Sequence, residues 1–203
     1  MTNNYLTNMF QCPILHVSAP NWEEKKPKLL ELCELQEFSP VENHIKGSKG
    51  SPNNSVDTTF FYANDNHNKK NDLFLRTEIA SILKEELEAV EDTFEINFKS
   101  IDLAWFQTEK ENMFHGIHNH GYGTFSVICY LEYNPEVHNP VHFLCPYNNL
   151  FTGEVDYFVP QHVDEGSILF FPSSINHFTI PNKSKIERKV LSFNINYEWR
   201  HRD

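Results

Sequence analysis

The spacing of apolar residues changes near residue 94. Over about 73–93, in LFLRTEIASILKEELEAVEDT, Leu75, Ile79, Ile82, Leu83, Leu87 and Val90 recur at three- and four-residue steps, with Glu86 on the same stripe. That spacing predicts one amphipathic helix, uninterrupted by Gly or Pro. After it come short apolar runs: KSIDLAWFQT, TFSVICYLEYN, VHFLCP, VDYFVPQ, GSILFFPS, HFTIPN and KVLSFNINYEW. Gly, Pro and Asn separate them, which predicts a series of short strands.

The N-terminal part is more mixed. FQCPILHV at 10–17 predicts a first strand. A helix is predicted over about 22–36, capped by Asn21, with Leu29, Leu32, Cys33 and Leu35 as its apolar face and Pro27 near its first turn. Residues 39–57, rich in Ser, Gly, Asn and Pro, predict a loop able to fold over a site mouth as a lid. TTFFYA at 58–63 predicts a short strand, and NDNHNKKND at 64–72 a polar connector. Helices first and strands afterwards predict an α+β chain whose second half is a β-sandwich or jelly roll, with the helices packed on one sheet. At 203 residues the chain suits a single domain, with 1–100 as helical support and 101–203 as the β core.

The chemistry is concentrated in the strand-rich half. His118 and His120 are two residues apart, so on a strand they point the same way. His177 opens a later run and can supply a third ligand. Three imidazoles on one side of an ion leave positions open opposite, whereas the usual facial set on Fe(II) is two His and one carboxylate. His120 stands where the carboxylate is expected. Arg188 shares a strand face with Val190, Ser192 and Asn194. Turned inward, it would be an unpaired charge unless an anion met it, and a dicarboxylate can do so through two-pronged hydrogen bonds. Tyr130 can donate to the same carboxylate. Plainer readings exist: His115, His118 and His120 as a surface cluster, His177 and Tyr130 as core residues, and Arg188 exposed beside Glu187 or Glu198.

Composition narrows the classes. A formal charge of -11 argues against a phosphate-backbone partner. No apolar run is long enough to span a bilayer, and the first residues lack a signal-peptide layout. Cys12, Cys33, Cys129 and Cys145 lack CxxC spacing and sit in apolar segments, which predicts reduced buried thiols and a cytoplasmic location. Seventeen Phe allow a large aromatic core.

In order along the chain stand Phe10 and Pro13, Trp105, His118-Asn119-His120, Ser126 with Tyr130-Leu131, Gly166-Ser167-Ile168-Leu169-Phe170-Phe171-Pro172-Ser173, His177, Pro181-Asn182, Arg188 and Ser192-Phe193-Asn194. This series resembles the 2-oxoglutarate/Fe(II) oxygenases of marine bacteria and cyanophages, relatives of the prolyl-4-hydroxylase-like enzymes. The resemblance implies a double-stranded β-helix, Fe(II) on His118, His120 and His177, and Arg188 holding the distal carboxylate of 2-oxoglutarate, with Tyr130 and Ser192 beside it. It implies a hydroxylase that consumes O2 and 2-oxoglutarate, acts on a small-molecule or peptidyl substrate and resides in the cytoplasm (the host's, if phage-encoded). Asn119, Asn196 and Trp105 are candidates for orienting that substrate. Two departures are Val127, where the family commonly has Gly, and Val190, where a second Ser often follows the Arg. Two rival functions remain open. One is a three-His dioxygenase that needs no 2-oxoglutarate; the other is a binding protein with a structural metal.

Overall fold

The computed structural model describes residues 12–40, 56–60 and 69–200. The proposed lid over 39–57 falls almost wholly outside these residues, as do the second half of the expected strand at 58–63 and the start of the connector at 64–72. The elements are β1 (Leu15–Ser18), α1 (Trp22–Glu34), β2 (Ser39–Pro40), β3 (Asp57–Thr58), α2 (Lys69–Ile82), α3 (Lys84–Phe94), β4 (Ile96–Glu109), β5 (Phe125–Glu132), β6 (His142–Leu144), β7 (Tyr157–Phe158), β8 (Ser167–Pro172), β9 (His177–Phe178) and β10 (Arg188–Trp199). A seven-stranded sheet runs β1-β8-β5-β10-β4-β3-β2, and a three-stranded sheet runs β7-β6-β9. All their pairings are antiparallel. The expected α+β jelly-roll architecture is present.

Side-chain parity explains why the long strands are apolar almost throughout. Alternate residues of β4, β5, β8 and β10 face the helices: Ala104 and Phe106, Val127 and Cys129, Ile168 and Phe170, Leu191 and Phe193. They share one core with Leu29, Leu75, Ile79, Leu83, Leu87 and Val90. The opposite face supplies a second core, where Ile128, Tyr130, Leu169, Phe171 and Val190 meet Val141 and Phe143 of the smaller sheet's side. A strand buried on both faces has no polar alternation to show. The polar residues on the inner face, including Gln107, Glu109, Ser126, Arg188, Ser192 and Asn194, are therefore the exceptions that need explaining.

Several predicted elements are corrected. The helix of 73–93 is two helices meeting at Leu83, whose backbone leaves the helical range at φ -99 and ψ 26. Hydrogen bonds from Leu83 N to Ile79 O and Leu87 N to Leu83 O carry the chain across the break, so the apolar stripe continues through it. Residues 69–72, expected as connector, already belong to α2. Asn21 does not cap α1 through its side chain; it sits at φ 54 and its carbonyl accepts from Glu24 and Lys25. Leu35 is exposed beyond the helix rather than part of its face. Glu86 earns its place on the stripe by polarity: Lys25 of α1 donates to it at 2.7 Å and to Glu85 at 2.9 Å, tying α1 to α3. Strand β1 starts at Leu15, after Pro13 rather than through it. The four cysteines are free, but Cys12 is exposed and Cys145 only part-buried.

Gly166 enters β8 at φ +82, and a Cβ there would lie 2.9 Å from the Trp22 ring. Both the backbone angle and the close approach of α1 require glycine.

Candidate metal centre

The expectation that His118 and His120 alternate along a strand is corrected. His118 makes a single antiparallel bridge with His177, exchanging backbone hydrogen bonds of 3.0 and 2.9 Å. The chain then turns through Gly121 and Gly123, both at φ +88, and His120 N–H bonds Ser173 O at 2.8 Å. His177 is therefore clamped between His118 on one side and Phe143 of β6 on the other. The two ligating loops are fixed by backbone pairing, and convergence does not depend on strand alternation. One ligand atom from each of His118, His120 and His177 lies within 4.8 Å of the others. Among the described residues no other group of three His, Cys, Asp or Glu is so placed.

Each imidazole is oriented by its other nitrogen. His118 Nδ1 donates to Gly116 O at 2.8 Å and His177 Nδ1 to Ile175 O at 2.9 Å. His120 Nδ1 lies 2.9 Å from Asn194 Oδ1 and 2.8 Å from Ser126 Oγ. A carbonyl can only accept, so the proton sits on Nδ1 and each Nε2 keeps its lone pair. Burial holds the rings neutral: it pushes His118 down to about 4 and His177 well below the ordinary histidine range, and lowers His120 against the opposing bond to Asn194. Neutral imidazole is the metal-binding form. Three neutral nitrogen donors with locked tautomers fit one divalent transition metal.

His115 is a fourth ring, stacked on His118 with centroids 3.8 Å apart. Trp105 Nε1 donates to Gln107 Oε1 at 3.0 Å, and Gln107 Nε2 donates to His115 Nδ1 at 2.8 Å. That relay leaves the proton of His115 on Nε2, so it is a wall residue and not a ligand. The cavity bounded by these rings with Thr179 and Ser192 is about 20 Å³, room for roughly one water. A separate open apolar groove of about 840 Å³ reaches the site's edge at Phe143, Pro172 and Ile175.

Arg188 is inward-facing and buried, as its strand parity implies, and is not the exposed partner of Glu187 or Glu198. Where the distal carboxylate of a dicarboxylate was expected, groups of the chain hold the guanidinium. Its Nη2 bonds Glu109 Oε1 at 3.1 Å and its Nη1 bonds Asn139 O at 2.7 Å. Thr179 Oγ1 also donates to Glu109 Oε1 at 2.8 Å. The anion that meets this arginine belongs to the chain itself. Tyr130 lies under the guanidinium, 6.0 Å from ring centre to Cζ, while its hydroxyl accepts from Val141 N–H at 3.0 Å. Ser192 is buried and lines the small cavity.

The weaker candidates part company. Trp105 lines the cavity and packs edge-on to His120, 5.2 Å between centroids. Asn119 is exposed and shapes its own turn, donating to Asn176 Oδ1 and accepting from Gly121 N–H. Asn196 lies between two bulges of β10 and meets Ser100 Oγ at 3.3 Å. Neither asparagine lines the metal-side cavity. Sequence reasoning missed Glu109, Thr179 and Gln107; the parity that places Trp105 inward also places 107 and 109.

Three histidines converge close to β10, which carries a buried arginine. The family described as "Putative 2OG-Fe(II) oxygenase" matches residues 103–194, the segment that holds all of these groups. Over that segment the chain is similar to the 2OG-Fe(II) oxygenases. The fold is shared with a prolyl-4-hydroxylase of Pseudomonas putida (12% identity, TM-score 0.53, 91% of this chain and 92% of that one). It is shared with the non-heme alpha-ketoglutarate-dependent epimerase SnoN of nogalamycin biosynthesis (12% identity, TM-score 0.56, 93% and 79%). A third likeness is to a Trichoplax adhaerens prolyl hydroxylase solved with a hypoxia-inducible-factor peptide (10% identity, TM-score 0.54, 90% and 83%). These confirm the double-stranded β-helix. No curated protein matches the chain. No described helix is long and apolar enough to cross a membrane.

Proposed function

We propose that the chain is an Fe(II)- and 2-oxoglutarate-dependent oxygenase that hydroxylates a small-molecule or peptidyl substrate. His118, His120 and His177 hold the metal through Nε2, and Arg188 receives the distal carboxylate of 2-oxoglutarate, flanked by Tyr130 and Ser192. The observation that carries the reading is the convergence of three imidazoles whose Nδ1 atoms are all engaged elsewhere. Bound Fe(II), 2-oxoglutarate and O2 would supply the oxidising chemistry. The chain supplies the geometry: Gly116 O, Ile175 O and Asn194 aim the ligands, and Trp105, Phe171 and Phe143 wall the metal from solvent. Hydroxylation is favoured by the two prolyl hydroxylases among the structural neighbours, although the same fold in SnoN carries an epimerase.

A second reading draws on the Arg188–Glu109 pair and the one-water cavity: a three-His dioxygenase that uses no 2-oxoglutarate. Anaerobic calorimetry with Mn(II) in place of Fe(II) separates the two. The first predicts one metal site, lost in His177→Ala, and 2-oxoglutarate binding that requires the metal. Metal binding with no 2-oxoglutarate binding at any pH supports the second.

A further inference from the structure

Glu109 and Arg188 are 2% and 5% exposed at their side chains and 3.1 Å apart. On the 2-oxoglutarate reading Arg188 needs a free guanidinium, and here a carboxylate of the chain already holds it. We propose that Glu109 is a built-in competitor for the co-substrate's distal carboxylate, and that it must take up a proton before Arg188 can accept that carboxylate. This inference rests on the 2-oxoglutarate reading and specifies what controls entry to that site.

The geometry carries the argument. One guanidinium cannot satisfy two buried carboxylates at van der Waals distance, because the second charge would have no counterion. Glu109 is buried where it stands, so neutralisation is the alternative to expulsion. Its environment suits a neutral acid once Arg188 turns away: Thr179 Oγ1, which already accepts from His115 N–H at 2.7 Å, stays hydrogen-bonded to it. Arg188 also has a donor in reserve, since its buried Nε has no hydrogen-bond partner. Burial pushes the Glu109 carboxyl above the usual carboxylate range even with Arg188 beside it. Removing that positive charge raises it further.

The other charged groups around Glu109 are engaged elsewhere. Lys110, next in the chain, pairs with Asp57 of β3 at 2.9 Å, and Lys189 of β10 pairs with Glu132 at 2.8 Å. Burial lowers the nearby His115, His138 and His142, and Arg188 adds to the effect, so none supplies a competing cation at neutral pH. Tyr130 on β5 is pushed up to about 12 and stays protonated. Glu109 is thus the group left to carry the proton.

The test is anaerobic calorimetry of 2-oxoglutarate binding to the Mn(II)-loaded full chain. It is run between about pH 6 and about pH 8, in two buffers of different ionisation heat. The wild type should take up one proton on binding, and its Kd should rise by about tenfold per pH unit. Glu109→Gln should bind more tightly at the high end, with a pH-independent Kd and no proton uptake. Binding by Glu109→Gln alone also supports the inference. If the wild type binds without proton uptake and with a flat pH profile, the inference is overturned and the 2-oxoglutarate reading stands. If neither form binds 2-oxoglutarate at any pH, both are overturned. The wild-type proton count decides the matter even if the variant fails to fold.

Discussion

Asn194→Ala probes the metal centre without touching a ligand. The Asn194 side chain is buried and its Oδ1 accepts from His120 Nδ1 at 2.9 Å and from Ser126 Oγ at 2.9 Å. Removing it leaves His120 Nδ1 with one partner, Ser126 Oγ at 2.8 Å. Ser126 can still accept that proton, because its own hydroxyl has Ser173 Oγ at 2.9 Å as an alternative acceptor. Loss of such an orienting partner costs about 10- to 100-fold in metal affinity. The retained serine places the single variant near the lower end, about 1.4 kcal/mol, and Asn194→Ala with Ser126→Ala near the upper end, about 2.8 kcal/mol. Anaerobic Mn(II) calorimetry measures both, with near-ultraviolet circular dichroism checking the packing. Unchanged affinity in the double variant would refute the claim that Nδ1 engagement of His120 organises the site.

Three other outcomes follow from the structure. Arg188→Ala leaves Glu109 buried without its counterion and should destabilise the fold by about 3–5 kcal/mol in urea titration, whereas Arg188→Met with Glu109→Leu should recover most of that loss. Gly166→Ala should cost about 2 kcal/mol or more by the same assay, through the φ of +82 and the Trp22 ring 2.9 Å from the new Cβ. The metal-free protein should melt at a lower temperature at about pH 5 than at about pH 7. His118 has a folded pKa of about 4, below the unfolded value of about 6.5, so its contribution is present above the unfolded value and is lost as pH falls toward the folded one. Scanning calorimetry of the apo form that shows no such fall would contradict buried neutral rings.

How much of this was legible depended on the local environment of each residue. The runs around Cys129, Leu169 and Leu191 announced strands because both their faces are buried, so no polar residue diluted them. The inward turn of Arg188 followed from its parity with Val190, Ser192 and Asn194. Its partner did not, because Glu109 ends β4 in TEKEN, among charges that read as a solvated loop. The break at Leu83 left no mark, since the apolar stripe passes through it. Strands β2 and β3 are two residues each, Ser39–Pro40 and Asp57–Thr58, with no apolar signal; pairing of β3 with the edge of β4, and of β2 with β3, creates them. The histidines were identified by spacing, but through the wrong geometry. A bridge to His177 and a glycine turn bring His118 and His120 together, and neither shows in a two-residue period.

The most direct test of the central claim is the fate of 2-oxoglutarate itself. The Fe(II)-loaded chain, given 2-oxoglutarate and O2, should form succinate and CO2 in equal amounts. That turnover should disappear when Fe(II) is withheld and in His177→Ala. Formation of no succinate by the fully metallated protein across about pH 6 to pH 8, with candidate substrates present, would contradict the assignment.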